Sequence, residues 1–279
     1  MPIISFWNPT GVGQTGTTAT MVSVANSIAI RNPHYKILLA QTHFSNLKME
    51  SAYFNMDKMR SKGNLDDITD IGVDALERLL RSNKITPESI KTYAKTKGDT
   101  IEVLYGSFKG DKDSFRRVLE TVPFMLDYAS QCYDMVFVDL TSGLDSKEID
   151  DILKKSDVIV VTMNQDKEVL RKMEERFNTL KVLQEKPILP VFSRYDQYLA
   201  YNSRNILRNY NFKFDKREVY TIPYNSLYFD ALNDGRALDF FIEHLGADAA
   251  TTREGWLISE CGKISDRLLK LLGSKISDK

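Results

Sequence analysis

Ile3-Ile-Ser-Phe-Trp-Asn-Pro-Thr-Gly-Val-Gly-Gln-Thr-Gly-Thr-Thr18 runs from an apolar stretch through a glycine-rich turn into the start of a helix. Ile3–Trp7 reads as a strand and Thr17–Arg31 as the helix that follows. Gly11, Gly13 and Gly16 allow close approach to the backbone, while Thr17 and Thr18 open the helix. Such a turn presents backbone N–H groups and a helix N-terminus to an anion, typically phosphate. Glycine-rich strand-to-helix turns also occur without a ligand, so the rest of the chain has to decide.

Working outward, further apolar runs read as strands at Lys36–Ala40, Ile101–Leu104, Met135–Leu140, Val158–Met163, Ile188–Phe192 and Val219–Ile222. Their near-continuous hydrophobicity suits strands covered by helices on both faces. Helix patterns fall between them at Asp74–Ser82, Pro87–Lys97, Ser114–Gln131, Lys147–Lys154, Lys167–Gln184 and Ser203–Tyr210. A last helix is expected over Glu254–Leu272, with Leu257, Ile264, Leu268 and Leu271 on one face. Strands separated by helices predict a single doubly wound, mostly parallel α/β sheet flanked by helices, of the Rossmann-like type. No repeat or Pro/Gly/Ser linker divides residues 1–279, so one domain is expected.

Composition narrows the function classes. The 279 residues carry 38 Lys+Arg against 38 Asp+Glu, so no overall positive field steers nucleic acid or an anionic membrane to the chain. Two cysteines, Cys132 and Cys261, make neither a disulfide framework nor a four-cysteine zinc site. The longest apolar run is far below membrane-spanning length, and the first residues lack the pattern of a secretory signal. A soluble cytoplasmic protein is expected.

Against the phosphate-loop pattern G-x-x-x-x-G-K-[ST], the turn fits as Gly11, four residues, Gly16, Thr17 and Thr18, with Thr17 at the lysine position. Tyr133-Asp-Met-Val-Phe-Val-Asp-Leu-Thr-Ser-Gly-Leu-Asp145 has the form YDxxxxD-x-x-x-G. With Val191-Phe-Ser-Arg-Tyr-Asp196, Ile222-Pro-Tyr-Asn-Ser226 and Ala231-Leu-Asn-Asp-Gly235 in that order, the chain resembles the MinD/ParA group of P-loop ATPases. That group has a deviant Walker A loop, G-K-G-G-x-G-K-T. The resemblance covers about residues 1–240 and implies ATP or ADP with Mg²⁺ as ligands. It places the nucleotide on Gly11, Gly13, Gln14, Thr15, Gly16, Thr17, Thr18, Ser193, Arg194 and Pro223. It places Mg²⁺ by Thr18 and Asp139, and Gly143 near the γ-phosphate.

The departures lie where the chemistry is. Val12 and Thr17 stand in place of the group's two lysines. Gln41 and His43 stand in place of the aspartates that end its second strand. Arg31 is the only charged side chain in the first 35 residues. Phosphoryl transfer depends on cations and on a positioned water, so little or no ATP hydrolysis is expected. Asp139 is the only candidate for a direct part in such chemistry. His43 is a possible base that reads better as a loop residue, and Asp145 reads better as a helix cap.

The resemblance therefore implies an atypical member, a positioning or assembly factor that works as a homodimer with a protein partner. The TadZ/CpaE proteins, which place pilus machinery at a cell pole, are similar atypical relatives. The alternatives are an active ParA-type ATPase in DNA or plasmid partition and a nucleotide-free structural adaptor. Residues 194–217 interleave aromatic and basic side chains, six basic against two acidic, which suits either DNA or a helix packed on the core. The terminal helix suits either a peripheral membrane contact or packing within the protein. Packing is the reading preferred for both.

Overall fold

A computed structural model describes residues 1–10, 15–42, 48–56, 71–107, 112–141, 143 and 146–276. Eight strands form one sheet in the order β3-β4-β2-β5-β1-β6-β7-β8. They are β1 (Ile3–Trp7), β2 (Ile37–Gln41), β3 (Lys95–Lys97), β4 (Ile101–Leu104), β5 (Met135–Asp139), β6 (Val158–Met163), β7 (Ile188–Tyr195) and β8 (Tyr220–Pro223). All neighbours pair parallel except β3 and β4. The expected fold class is therefore the observed one.

Alternation along the buried strands feeds two cores. Ile4, Phe6, Leu39 and Phe137 face one side of the sheet, and Ile3, Trp7, Leu38 and Val138 face the other. The first face is covered by α1 (Thr17–Arg31), α2 (Lys48–Tyr53), α10 (Ser226–Asn233), α11 (Ala237–Glu243) and α12 (Arg253–Ile276). The second is covered by α3 (Gly72–Arg81), α4 (Pro87–Tyr93), α5 (Lys112–Ala129), α6 (Lys147–Lys155), α7 (Lys167–Thr179), α8 (Val182–Glu185) and α9 (Ser203–Asn209). Connections leave the central strands in opposite directions, which opens a crevice at the carboxyl ends of β1, β5 and β6.

Several boundaries differ from the sequence reading. The helix expected over Pro87–Lys97 stops at Tyr93, and Lys95–Lys97 folds back as an antiparallel edge strand on Ile101–Val103. The cause is local: Gly98 takes a φ of 62° and makes the tight turn that joins the two strands. The helix expected over Lys167–Gln184 breaks at Leu180, whose extended backbone separates α7 from α8. α2, α10 and α11 are additional to the expected helices. α10 is announced in the sequence by Asn225, whose side chain accepts the Tyr228 N–H at 2.9 Å.

The C-terminal helix is longer than expected. Leu257, Cys261, Ile264, Leu268 and Leu272 form its buried stripe, with Leu272 rather than Leu271 fully buried. It packs on α1 and β8. Arg31–Asp266 at 2.7 Å and the Arg267–Glu218 and Lys275–Asp157 pairs pin its outer side. The apolar stripe is thus part of the core. Among the described residues no helix is long and apolar enough to cross a membrane.

Candidate functional site: the crevice at the start of α1

Gly11, Val12, Gly13 and Gln14 lie outside the described residues, as do His43 and Asp145. The N-cap of α6 is Ser146, one residue beyond the expected Asp145, and its side chain accepts the Ile149 N–H at 3.3 Å. The described part of the turn begins at Thr15 and ends at Gly16, the N-cap of α1, with φ 70°. That left-handed angle favours glycine, and a Cβ there would stand 3.0 Å from Ser193 Oγ.

Thr17 is committed to the interior. Asn8 Nδ2 donates to its hydroxyl at 2.7 Å, and Thr15 and Thr162 Oγ1 lie 3.1 Å and 2.7 Å from it. Thr162 also donates to the Trp7 carbonyl at 3.3 Å. The assignment that satisfies every group has Thr17 accepting from Asn8 and Thr15 and donating to Thr162, which uses both lone pairs and the proton. Asn8 Oδ1 in turn accepts the Thr10 N–H and hydroxyl, each at 3.0 Å. The residue at the lysine position therefore ties the ends of β1 and β6 together.

Thr18 points the other way. Its hydroxyl donates to Asp139 Oδ2 at 2.5 Å, bringing the first turn of α1 to the end of β5. Asp139 is wholly buried. One hydroxyl beside one carboxylate suits a magnesium ion that keeps most of its ligands from phosphate and water. Among the described residues no group of three or more His, Cys, Asp or Glu forms a protein cage for a metal. Gly143 lies in the turn after β5, with φ 69°.

Beside this pair runs a network that sequence reasoning missed. Gln41 Nε2 donates to both oxygens of Glu50 at 2.6 Å, and the Gly106 N–H donates to one of them at 2.7 Å. Glu50, from α2, is fully buried. Burial, with Glu50 beside it, holds the Tyr105 phenol well above its ordinary range. The one available signal was position: Glu50 is the first acidic residue of the chain.

Ser193, Arg194 and Pro223 meet Gly16 in a cleft on the other side of α1. Ser193 donates to the Thr15 carbonyl, so β7 is fastened to the turn. Arg194, exposed and left-handed at φ 50°, lies where the pairing of β7 with β8 shifts register. Its guanidinium stands 5.9 Å from the Phe229 ring centroid. Asn225 closes the far end by donating to Glu254 Oε1 at 3.0 Å, and this bond holds the Glu254 carboxyl below the usual glutamate range.

The aromatic residues of 194–217 lie mostly beneath its charges. Tyr195 and Phe212 are buried, and Tyr210, Phe212 and Phe214 stack at centroid distances of 5.7 and 5.0 Å. Lys216 donates to the Leu207 and Tyr210 carbonyls at 2.6 and 3.1 Å, and Arg217 pairs with Asp215 at 2.8 Å. Tyr198 is the large aromatic of the segment left prominently exposed, at 87%.

No protein-family model matches the chain, and no curated protein matches its sequence. Solved structures do match its fold. A ParA-family ATPase from Chlorobium tepidum superposes with a TM-score of 0.67 at 14% identity, over 94% of this chain and 97% of that one. The septum site-determining protein MinD of Pyrococcus horikoshii, solved with Mg-ADP, gives 0.66 at 15% identity over 98% of each chain. A Borrelia burgdorferi protein described as a plasmid partition protein, bound to AMPPNP, gives 0.64 at 16% identity over 96% and 98%. At these identities the likeness is one of fold, and the fold is that of the MinD and ParA ATPases.

Proposed function

We propose that residues 1–279 form one MinD/ParA-like unit that binds ATP or ADP and acts as a positioning or assembly factor with little or no hydrolysis. The observation that carries this reading is the opposite commitment of two adjacent threonines. Thr18 reaches Asp139, as a magnesium-linked hydroxyl and carboxylate would, whereas Thr17 spends its hydrogen-bonding capacity on Asn8, Thr15 and Thr162.

In this reading the start of α1 receives the phosphates, on the Gly11–Thr18 turn and the unpaired N–H groups of the first helical turn. Thr18 and Asp139 hold the side of the site where Mg²⁺ would sit, and the ion would neutralise phosphate charge there. Ser193 and Pro223, which meet Gly16 in the cleft beside Arg194, lie where this reading seats the base. The fold neighbours solved with Mg-ADP and AMPPNP support nucleotide as the ligand class. Without either lysine, and with Gln41 turned to Glu50, the site lacks groups that speed phosphoryl transfer by orders of magnitude. The nucleotide then works as a structural ligand of a homodimer that meets a protein partner of a localised assembly, such as pilus machinery at a cell pole.

Calorimetry with Mg-ATP and Mg-ADP, combined with phosphate-release assays with and without DNA, tests this. The expected result is heat of binding with no measurable turnover. Turnover stimulated by DNA would move the protein to the partition alternative. Absence of binding at millimolar nucleotide would make it a nucleotide-free adaptor.

A further inference from the structure

The turn from Asn8 to Thr18 contains no lysine or arginine, so any side-chain cation that joins Mg²⁺ on a phosphate chain held there comes from elsewhere in the structure. Among the described residues that line the cleft, Arg194 is the one cation. Its side chain lies across the start of α1: a Cβ added to Gly16 would stand 3.5 Å from Arg194 Cγ. Beyond that point the guanidinium stands over Phe229, with 5.9 Å to the ring centroid. A left-handed backbone is uncommon for arginine, and here it falls at a break in strand pairing, where the chain re-aims the side chain. One turn along α1, the buried Thr20 hydroxyl also lines the cleft and has no partner among the described residues.

We propose that Arg194 supplies in cis the cation that the turn lacks, holding the phosphate chain of a bound nucleotide against Gly16. The inference rests on the nucleotide reading above and assigns the charge within it. A planar guanidinium offers two parallel N–H donors to a phosphate, and the Phe229 ring lies within cation–π reach of it. A glycine at position 16 follows from its left-handed φ of 70° and from the tight 3.0 Å that a Cβ there would have to Ser193 Oγ.

The test compares binding of adenosine, Mg-ADP and Mg-ATP to the full chain and to R194G and R194K. Glycine keeps the left-handed backbone accessible, R194N serves if R194G fails to fold, and thermal unfolding checks each variant. R194G is expected to weaken Mg-ADP and Mg-ATP by about tenfold or more while leaving adenosine unchanged. R194K is expected to recover part of the loss, and the gap between R194G and the unaltered chain is expected to narrow as salt rises. An equal loss for adenosine and Mg-ATP, or no loss at all, overturns the assignment and leaves nucleotide binding standing. Failure of the unaltered chain to bind either nucleotide overturns both.

Discussion

At the carboxyl end of β2 the Gln41 amide donates to a carboxylate that α2 brings into the interior, and the Gly106 N–H donates to it as well. A carboxylate at position 41 would face another with no water between them, which strongly disfavours joint ionisation. Gln41→Glu is therefore expected to lower stability by about 2 kcal/mol or more near neutral pH. The paired acids then have raised pKa values, so the loss shrinks as pH falls and one carboxyl takes a proton. Denaturant unfolding at several pH values measures both effects. The departure at 41 was legible in the sequence, but its partner was not, because Glu50 follows residues 43–47 with no spacing that ties it to a strand end. Ser193 shows the converse: its place at a strand end was legible, while its donation to the Thr15 carbonyl depends on β7 and the turn meeting in space.

Among the elements, α10 and α12 are joined across the cleft by Asn225 and Glu254. Asn225 caps α10 with its oxygen and donates to Glu254 with its nitrogen, and Glu254 stands in the first turn of α12, where a negative charge is favourable. The folded-state pKa of Glu254 is depressed, so its contribution is present above the ordinary glutamate value and is lost as pH falls below it. The thermal midpoint of Glu254→Gln should lie below that of the unaltered chain near pH 7. The two should converge between about pH 5 and about pH 3. Long amphipathic elements such as α5 and α12 were legible because burial repeats with the helical period. α2 and α11 were not, since six or seven residues hold too few turns to show a period. Lys95–Lys97 was misread because its lysines and threonine fit a solvated helix as well as an edge strand, and only pairing with β4 decides.

For the whole molecule, equal numbers of basic and acidic residues hid an uneven distribution. The basic stretch 194–217 places most of its aromatic rings at least partly under the surface, with Tyr198 the exposed one; Lys216 caps α9 and Arg217 pairs with Asp215. Stacking on nucleic-acid bases needs exposed rings, so duplex DNA is expected to give no anisotropy change at about 10 μM protein and about 0.15 M salt. Binding there that weakens steeply with added salt would contradict this. The three-layer architecture was legible from the alternation of strand and helix. The meeting of Thr17 with Thr162 was not, because 145 residues separate them and only the sheet order brings them together.

The two margins of the sheet carry a further consequence for how copies of the chain can associate. One ends in the three residues Lys95-Thr-Lys97, and the other in the four residues Tyr220–Pro223, whose proline has no N–H to offer. A short basic ribbon and a proline-terminated one are both poor templates for an incoming strand. Self-association by growing one continuous sheet is thus disfavoured at either margin of the described sheet. In the reading proposed above, copies would join through helix surfaces or through the rim that carries the crevice, where a nucleotide held between them would control their union.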